Sequence, residues 1–207
     1  MFKAIFFDFD GTLVDSKKAY YLLFQEVLKQ NNIKFNKRKL WKELNGQKAE
    51  MVFSKVLNEK NEDKIKELCD QLRKKEIEKG IKIVKPIKFS REILILLRRR
   101  NKKIYLITNS DKKFVLFLLK KFKFNFDKIF TREYFKEKSK VIVETARSLS
   151  LKLSEVLYVG DSILDIEVAR KAKCKVAIIP NWSPKYLVKK QKPDFLLNSI
   201  KEIIKIV

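Results

Sequence analysis

Two aspartates close an apolar run near the start of the chain, in the segment FFDFDGTLVDS, Phe6 to Ser16. In an extended segment residues i and i+2 point the same way, so Asp8 and Asp10 present their carboxylates side by side. Two carboxylates held this close repel each other unless a cation or a shared proton compensates them. A single aspartate after a strand would be explained as a turn residue. The pair, followed at once by Gly-Thr, instead favours a functional site.

A second acidic strand end lies in YVGDSILD, where Asp161 follows Gly160 and Asp165 comes four residues later. If the two strand ends meet at one rim, three or four carboxylates converge there. Such a set of oxygen ligands suits a hard divalent cation, and Mg²⁺ best. The sequence therefore predicts a magnesium site.

The absence of histidine narrows the possible chemistry. It excludes Ser-His-Asp hydrolysis, Cys-His catalysis and His-ligated zinc. Acid–base catalysis must then come from carboxylates or lysines. The two cysteines, Cys69 and Cys174, show no metal-ligand spacing, and we expect no disulfide.

The 207-residue chain carries 49 Lys and Arg against 25 Asp and Glu, a formal net charge of +24. This charge favours polyanions, anionic membranes or small phosphorylated molecules as partners. Because the lysines are scattered along the whole chain, we expect a solvated basic surface and no dedicated nucleic-acid partner. No long uncharged apolar run occurs, and because aspartates interrupt the first apolar segment we expect no signal peptide. We expect a soluble cytoplasmic protein without a membrane partner, as a monomer or homodimer.

Four short apolar runs, each ending in small polar or acidic residues, predict the strands that position these groups. They are AIFFDFDGT, KIYLITNS, EVLYVGDS and KVAIIPN. Nearly continuous apolar character is typical of buried parallel strands. Helical patterns at Ser90 to Arg100, Ser139 to Leu149 and Ile163 to Ala172 alternate with them. The alternation predicts an α/β fold with a doubly wound parallel sheet, whose ligands bind at the carboxyl ends of the strands.

One region breaks the alternation. Residues 16–85 show only helical patterns, broken by polar turns near Asn31 and Gly46. About seventy residues are far too many for a simple crossover between two strands. We therefore expect a helical cap domain at 16–85, inserted into a core domain of residues 1–15 and 86–207, with Pro86 at the re-entry.

The motifs together resemble those of the haloacid dehalogenase superfamily, and in particular its phosphoglycolate phosphatase-like branch. Four motifs appear in the order that the family shows: DFDGTLVDS, then Thr108-Asn109-Ser110, then a lysine before a helix, then YVGDSILD. The resemblance covers roughly residues 2–15 and 86–200, with the helical insertion where a family cap lies between motifs one and two. It implies the family's Rossmann-like core.

The resemblance also implies roles for single residues. Asp8 would be the nucleophile that forms an aspartyl-phosphate, and Asp10 the general acid and then base. Mg²⁺ would be held by Asp8, the Asp10 carbonyl and Asp161. Asp165 would bind the metal through a water molecule or lie behind the ligands, as Thr12 would. The phosphoryl oxygens would be bound by Thr108 and Asn109.

The family's active-site lysine is less sharply defined, because TREYFKEKSKVIVE offers three lysines and no following proline. The resemblance of REYFKEK to the family's approach favours Lys138, with Lys136 as the alternative and Lys140 as a solvated helix residue. Ser139 would then cap the following helix. After YVGDSILD, Lys173 occupies the place of a family glycine.

The function predicted on this basis is Mg²⁺-dependent hydrolysis of a small phosphorylated metabolite. One alternative is a phosphomutase resembling β-phosphoglucomutase, and another is a non-catalytic basic binding protein on the same fold. Specificity would come from the cap, where Tyr20, Phe24, Lys48 and Met51 are candidates for the cleft, although cap core or solvated surface is the simpler interpretation of each.

Overall fold

The computed structural model describes residues 1–207, and eight strands form its two sheets. In chain order the strands are β1 (Ala4–Phe7), β2 (Val14–Asp15), β3 (Lys85–Pro86), β4 (Lys103–Ile107), β5 (Lys128–Phe130), β6 (Val156–Gly160), β7 (Lys175–Ile178) and β8 (Phe195–Leu196). Six of them form a parallel sheet in the order β5-β4-β1-β6-β7-β8. The predicted fold class is confirmed, and the four apolar runs are β1, β4, β6 and β7.

Strand β1 lies at the centre of this sheet, and all four of its residues are fully buried. It pairs with β4 on one side and β6 on the other, so that Phe6 stands opposite both Tyr105 and Tyr158. A strand covered on both faces needs apolar side chains at every position, which is why AIFF does not alternate.

Helices cover both faces of the sheet and fill the insertion. In chain order they are α1 (Lys17–Gln30), α2 (Lys37–Glu43), α3 (Ala49–Leu57), α4 (Glu62–Lys75), a π-helical turn (Glu76–Gly80), α5 (Ile81–Ile83), α6 (Ser90–Arg99), α7 (Lys112–Phe122), α8 (Lys138–Ser148), α9 (Ile163–Ala172) and α10 (Lys185–Lys190). Short 3₁₀ segments at Leu153–Glu155 and Ile200–Lys205 complete the chain. Helices α6 and α7 pack in one core cluster with Ile5 and Phe7, and α8 and α9 pack in a second with Ala4 and Phe6.

The helices of the insertion have a core of their own. Leu23, Phe24, Leu40, Phe53 and Leu68 belong to a third apolar cluster, contributed by α1 to α4. The chain leaves the sheet through β2 and returns through β3, and these two strands pair antiparallel with Val14 opposite Pro86. The predicted cap, residues 16–85, begins and ends at this pair.

Two local features concern residues singled out in the sequence. Helix α8 starts at Lys138 with Glu137 as its extended N-cap residue, so the prediction that Ser139 caps it is wrong: Ser139 already lies in the first turn. Lys173 ends α9 in a left-handed conformation with φ +58°, where the family's glycine would be expected. None of the helices has the length and apolar character that a membrane crossing requires.

Candidate active site

The turn after β1 carries the first two aspartates. Asp8 extends the strand, its N–H donating to the Val159 carbonyl at 2.9 Å, and the chain then turns through Gly11. Gly11 has φ +81°, and a Cβ atom there would collide with the Asp161 carboxylate and the Trp182 ring. Glycine is therefore needed both for the turn and for the close approach of the two acidic strand ends.

Asp8, Asp161 and Asp165 bring carboxylate oxygens within 4.8 Å of one another, and all three residues are buried. Burial raises the pKa of Asp8 to about 7; Lys138 opposes this shift, and the charge of Asp165 adds to it. Burial, followed by the charges of Asp165 and Asp8, also raises the pKa of Asp161 well above its usual value. The single ammonium of Lys138 is not enough positive charge to compensate three ionised carboxylates.

The donor set of this cluster fits a divalent cation. Asp8 and Asp161 each have one oxygen engaged, by the Lys138 ammonium and by the Trp182 N–H at 2.7 Å, which leaves the second oxygen of each without a protein donor. Asp165 is fully engaged, since its oxygens accept from the Tyr158 hydroxyl and from Ser162 and the Asp161 N–H. Asp8 and Asp161 thus have ligand atoms to offer, while Asp165 orients the loop that carries Asp161.

Lys138 is the lysine that reaches the acidic cluster. Its Nζ lies 2.7 Å from Asp8 Oδ1 and 3.3 Å from the Tyr158 hydroxyl, and the residue is 8% exposed. Burial acts to lower its pKa, but the charges of Asp8 and Asp165 outweigh burial and raise the pKa of Lys138. Lys136 and Lys140 are exposed.

The end of β4 brings the predicted phosphate-binding residues to the same rim. Thr108 is buried, and its hydroxyl accepts from the Ser110 N–H at 3.1 Å. The Asn109 amide donates to the Gly46 carbonyl of the cap at 3.4 Å. Both residues line a cavity with Asp8, Asp10 and Lys138. Thr12 is buried in the turn after β1, with a hydroxyl that has no hydrogen-bond partner.

Two serine hydroxyls hold Asp10, and sequence reasoning assigned neither of them. Ser16 donates to Asp10 Oδ1 at 2.6 Å, and Ser110 donates to Oδ2. Burial raises the pKa of Asp10, and these two hydrogen bonds oppose the shift. Tyr20 lies behind them, with its hydroxyl 3.1 Å from Ser110 Oγ. Both serines lie inside the motifs DFDGTLVDS and TNS, and their place in these motifs is the sequence signal that could have identified them.

The cavity between cap and core has a volume of about 50 Å³. Of the cap residues considered from sequence, Tyr20, Phe24 and Lys48 line it, whereas Met51 is 48% exposed on the cap surface. Sequence reasoning missed Gln47, Glu76, Arg132 and Trp182, which also line the cavity. Nothing in their local sequence separates them from ordinary surface or packing residues.

An ion-pair network joins cap and core beside the cavity. Glu50 of α3 accepts from Arg132, which follows β5, at 2.6 Å and from Arg73 of α4 at 3.4 Å. Glu50 therefore links two cap helices to the core at the cavity wall.

The sequence and the fold are both similar to those of known proteins. The model of a family described as haloacid dehalogenase-like hydrolase matches residues 5–179. A phosphoglycolate phosphatase of Aquifex aeolicus is 26% identical over 99% of this chain and 96% of its own length. The pyrophosphatase PpaX of Oceanobacillus iheyensis is 27% identical over 99% of this chain and 96% of its own length.

Solved structures share the whole fold. A haloacid dehalogenase-like hydrolase from Bacteroides fragilis superposes with a TM-score of 0.90 at 18% identity, covering 98% of this chain and 100% of that one. A structure from Haemophilus somnus, described as a predicted phosphoglycolate phosphatase, has a TM-score of 0.86 at 24% identity and covers 99% and 97% of the two chains.

Proposed function

Because this chain belongs to the haloacid dehalogenase-like hydrolase family, we propose that it is a Mg²⁺-dependent phosphatase that hydrolyses small phosphomonoesters through an aspartyl-phosphate on Asp8. One observation carries the proposal: a buried ammonium, that of Lys138, lies 2.7 Å from Asp8 in a cavity that also holds Asp10. An anionic nucleophile can approach an anionic phosphoryl group only where positive charge compensates both.

In the first step an Asp8 oxygen attacks phosphorus, and the bond between phosphorus and the ester oxygen breaks. Asp10 gives its proton to the departing oxygen, so the alcohol leaves neutral. In the second step water attacks the same phosphorus, Asp10 takes a proton from that water, and the bond to Asp8 breaks to release phosphate. The serine hydroxyls of Ser16 and Ser110 hold Asp10 in position for both transfers.

The proposed cation is held by Asp8, the Asp10 carbonyl and Asp161. When bound, Mg²⁺ supplies the positive charge that offsets the carboxylates and the phosphoryl oxygens. Lys138 adds a second positive charge on the Asp8 side, and Thr108 and Asn109 provide hydrogen bonds to the phosphoryl oxygens. In this proposal Asp165 and Thr12 lie behind the groups that contact the metal and the phosphoryl oxygens.

The small cavity, about 50 Å³, supports a small substrate. The names of the two relatives support a phosphate compound, since one is a phosphoglycolate phosphatase and the other a pyrophosphatase. No observation favours the phosphomutase or the non-catalytic alternative.

The test compares wild-type protein with Asp8→Asn, measuring phosphate release from p-nitrophenyl phosphate and a panel of phosphorylated metabolites, with Mg²⁺ or with EDTA. We expect turnover that requires the metal and falls by about 10³-fold or more in the variant, because a nucleophile that forms the intermediate is lost. Asp15→Asn is the matched control, since Asp15 is exposed on β2 of the same segment. Full activity of Asp8→Asn, or no phosphate release by folded wild-type protein, would contradict the proposal.

A further inference from the structure

Glu76 is a buried carboxyl in the cavity to which the proposed reaction gives no role. It begins the π-helical turn Glu76–Gly80 that follows α4, it is 5% exposed, and it lines the cavity together with Asp10. A π-helical turn within a run of helix is uncommon and often marks a functional position. The cap therefore contributes a carboxyl to the wall of the cavity that contains Asp10.

Nothing in the protein satisfies this carboxyl. Its Oε2 atom is buried without a hydrogen-bond partner. The two arginines whose charges act on it are engaged elsewhere, Arg132 with Glu50 at 2.6 Å and Arg73 with Asp70 at 2.6 Å. Burial, followed by the charges of Asp10 and Asp111, raises the pKa of Glu76 to about 8. A buried acceptor without a donor costs stability, so the missing donor is expected from a ligand.

The position of Glu76 indicates which part of the ligand it meets. Asp10, as the proposed acid, stands at the oxygen that leaves with the alcohol, and Glu76 borders the same cavity and is affected by the charge of Asp10. The group next to Glu76 therefore belongs to the alcohol portion of the ester.

We infer that Glu76 binds a hydrogen-bond donor, a hydroxyl or an ammonium, on the leaving alcohol of the substrate, and that it selects against esters ending in a carboxylate or a second phosphate. The inference rests on the proposed phosphatase function and names the substrate class for the same site. Above its pKa of about 8, where Glu76 is ionised, a terminal anion beside it adds charge repulsion and supplies no hydrogen-bond donor, which discriminates between esters in a buried site.

Lys48 is the competing charge. It lines the same cavity, so it offers a cation to a terminal anion. Arg132 offers less, because its side chain is already paired with Glu50. The relative rates on matched substrates measure which charge governs selection.

Three two-carbon esters differ only at the far end: 2-hydroxyethyl phosphate, phosphoethanolamine and phosphoglycolate. We would measure kcat/KM for each at pH 9, where Glu76 is ionised, with Mg²⁺ and with p-nitrophenyl phosphate as the reference substrate. For wild-type protein we expect the better of the two donor esters to exceed phosphoglycolate by about tenfold or more, the effect of one charged hydrogen bond. The hydroxyl and ammonium esters, compared with each other, identify the donor.

In Glu76→Gln we expect the ratio of donor ester to phosphoglycolate to fall by about tenfold, and turnover of p-nitrophenyl phosphate by the same preparation shows that the variant is folded and active. Glu78→Gln is the matched control, two residues away on the same turn and exposed, and should leave every ratio unchanged.

The outcomes separate the two proposals. No turnover of any ester, p-nitrophenyl phosphate included, would overturn the phosphatase function and this inference with it. Turnover of the reference substrate with wild-type preference for phosphoglycolate would overturn the inference alone, and this holds even if Glu76→Gln does not fold. An unchanged ratio in folded Glu76→Gln would do the same.

Discussion

Asp8 and Asp10 are separated by one residue, yet their neighbours differ. Asp8 faces the Lys138 ammonium, whereas Asp10 accepts hydrogen bonds from two uncharged serine hydroxyls. A carboxylate beside a fixed cation suits a nucleophile that must stay ionised, and one held by hydroxyls is free to gain and lose a proton. The different neighbours are therefore consistent with the different roles proposed for the two aspartates.

Glu76 gives a stability prediction that depends on pH. Its pKa rises from 4.5 in the unfolded chain to about 8 in the fold, so between these values the folded protein binds the additional proton. The free energy of unfolding therefore falls as pH rises through this window. Glu76→Gln removes the effect, and we expect it to be more stable than wild type by roughly 1–4 kcal/mol at pH 9 and about equal at pH 4.5.

The measurement is urea unfolding of both proteins at pH 4.5, 7 and 9 with EDTA present. Glu78→Gln provides the comparison, because its exposed carboxyl should leave the pH dependence as in wild type. A constant difference between Glu76→Gln and wild type at all three pH values would show that the carboxyl does not titrate in this way.

The sequence could place a residue at the site only where the residues around it predict a strand or a motif. Asp8 and Asp161 follow long apolar runs, so the strand that precedes each of them points to the rim. Glu76 stands in KKEIEKG, a run of charges that looks like any solvated helix surface. Its burial depends on where the cap meets the core, which no local pattern encodes.

At the scale of elements, the predicted strands were the long ones at the centre of the sheet. The edge strands β5 and β8, of three and two residues, were missed. An edge strand pairs with only one neighbouring strand. Because β5 and β8 are short and only partly buried, their sequences do not show a recognisable apolar run. The pairing of β2 with β3 was also missed, since it joins residues seventy positions apart and depends on how the cap docks.

The end of α9 gives a prediction at this scale. Lys173 is exposed and holds φ +58°, a conformation that costs a residue with a Cβ about 1 kcal/mol and glycine almost nothing. Lys173→Gly is expected to raise the free energy of unfolding by about 0.5–1 kcal/mol, in urea melts at neutral pH.

The same substitution inside the helix should act in the opposite direction. Glu167 is exposed in the middle of α9, and Glu167→Gly should lower the free energy of unfolding by about 1 kcal/mol. If both glycines destabilise equally, the left-handed cap is not where the strain lies.

At the scale of the whole molecule, the net charge of +24 sets a general condition on stability. The folded state concentrates uncompensated positive charge more than the unfolded chain does, so it repels itself more strongly. Salt weakens the exposed ion pairs as well, but these are worth little each, and the unpaired excess dominates.

We therefore expect KCl to stabilise the protein. Between 20 mM and 500 mM KCl at pH 7, the free energy of unfolding in urea should rise by about 1 kcal/mol or more. The control repeats the titration near pH 10.5, where many lysines are neutral and the salt effect should shrink. A fall in stability with salt at pH 7 would mean that attractive pairs outweigh the net repulsion.

The central position of β1 also has a consequence for the newborn chain. This strand is made before either of its neighbours in the sheet, and one of them, β6, begins at Val156, about 150 residues later. At 5–20 residues per second, the strand that ends at the proposed nucleophile waits roughly 8 to 30 seconds for that neighbour. During this interval AIFF is an apolar segment with an open edge, the kind of surface that chaperones bind and that aggregates form on. A strand that is made before its neighbours is thus sheltered late, and the two aspartates proposed as catalytic at its end meet Asp161 only after β6 has been made.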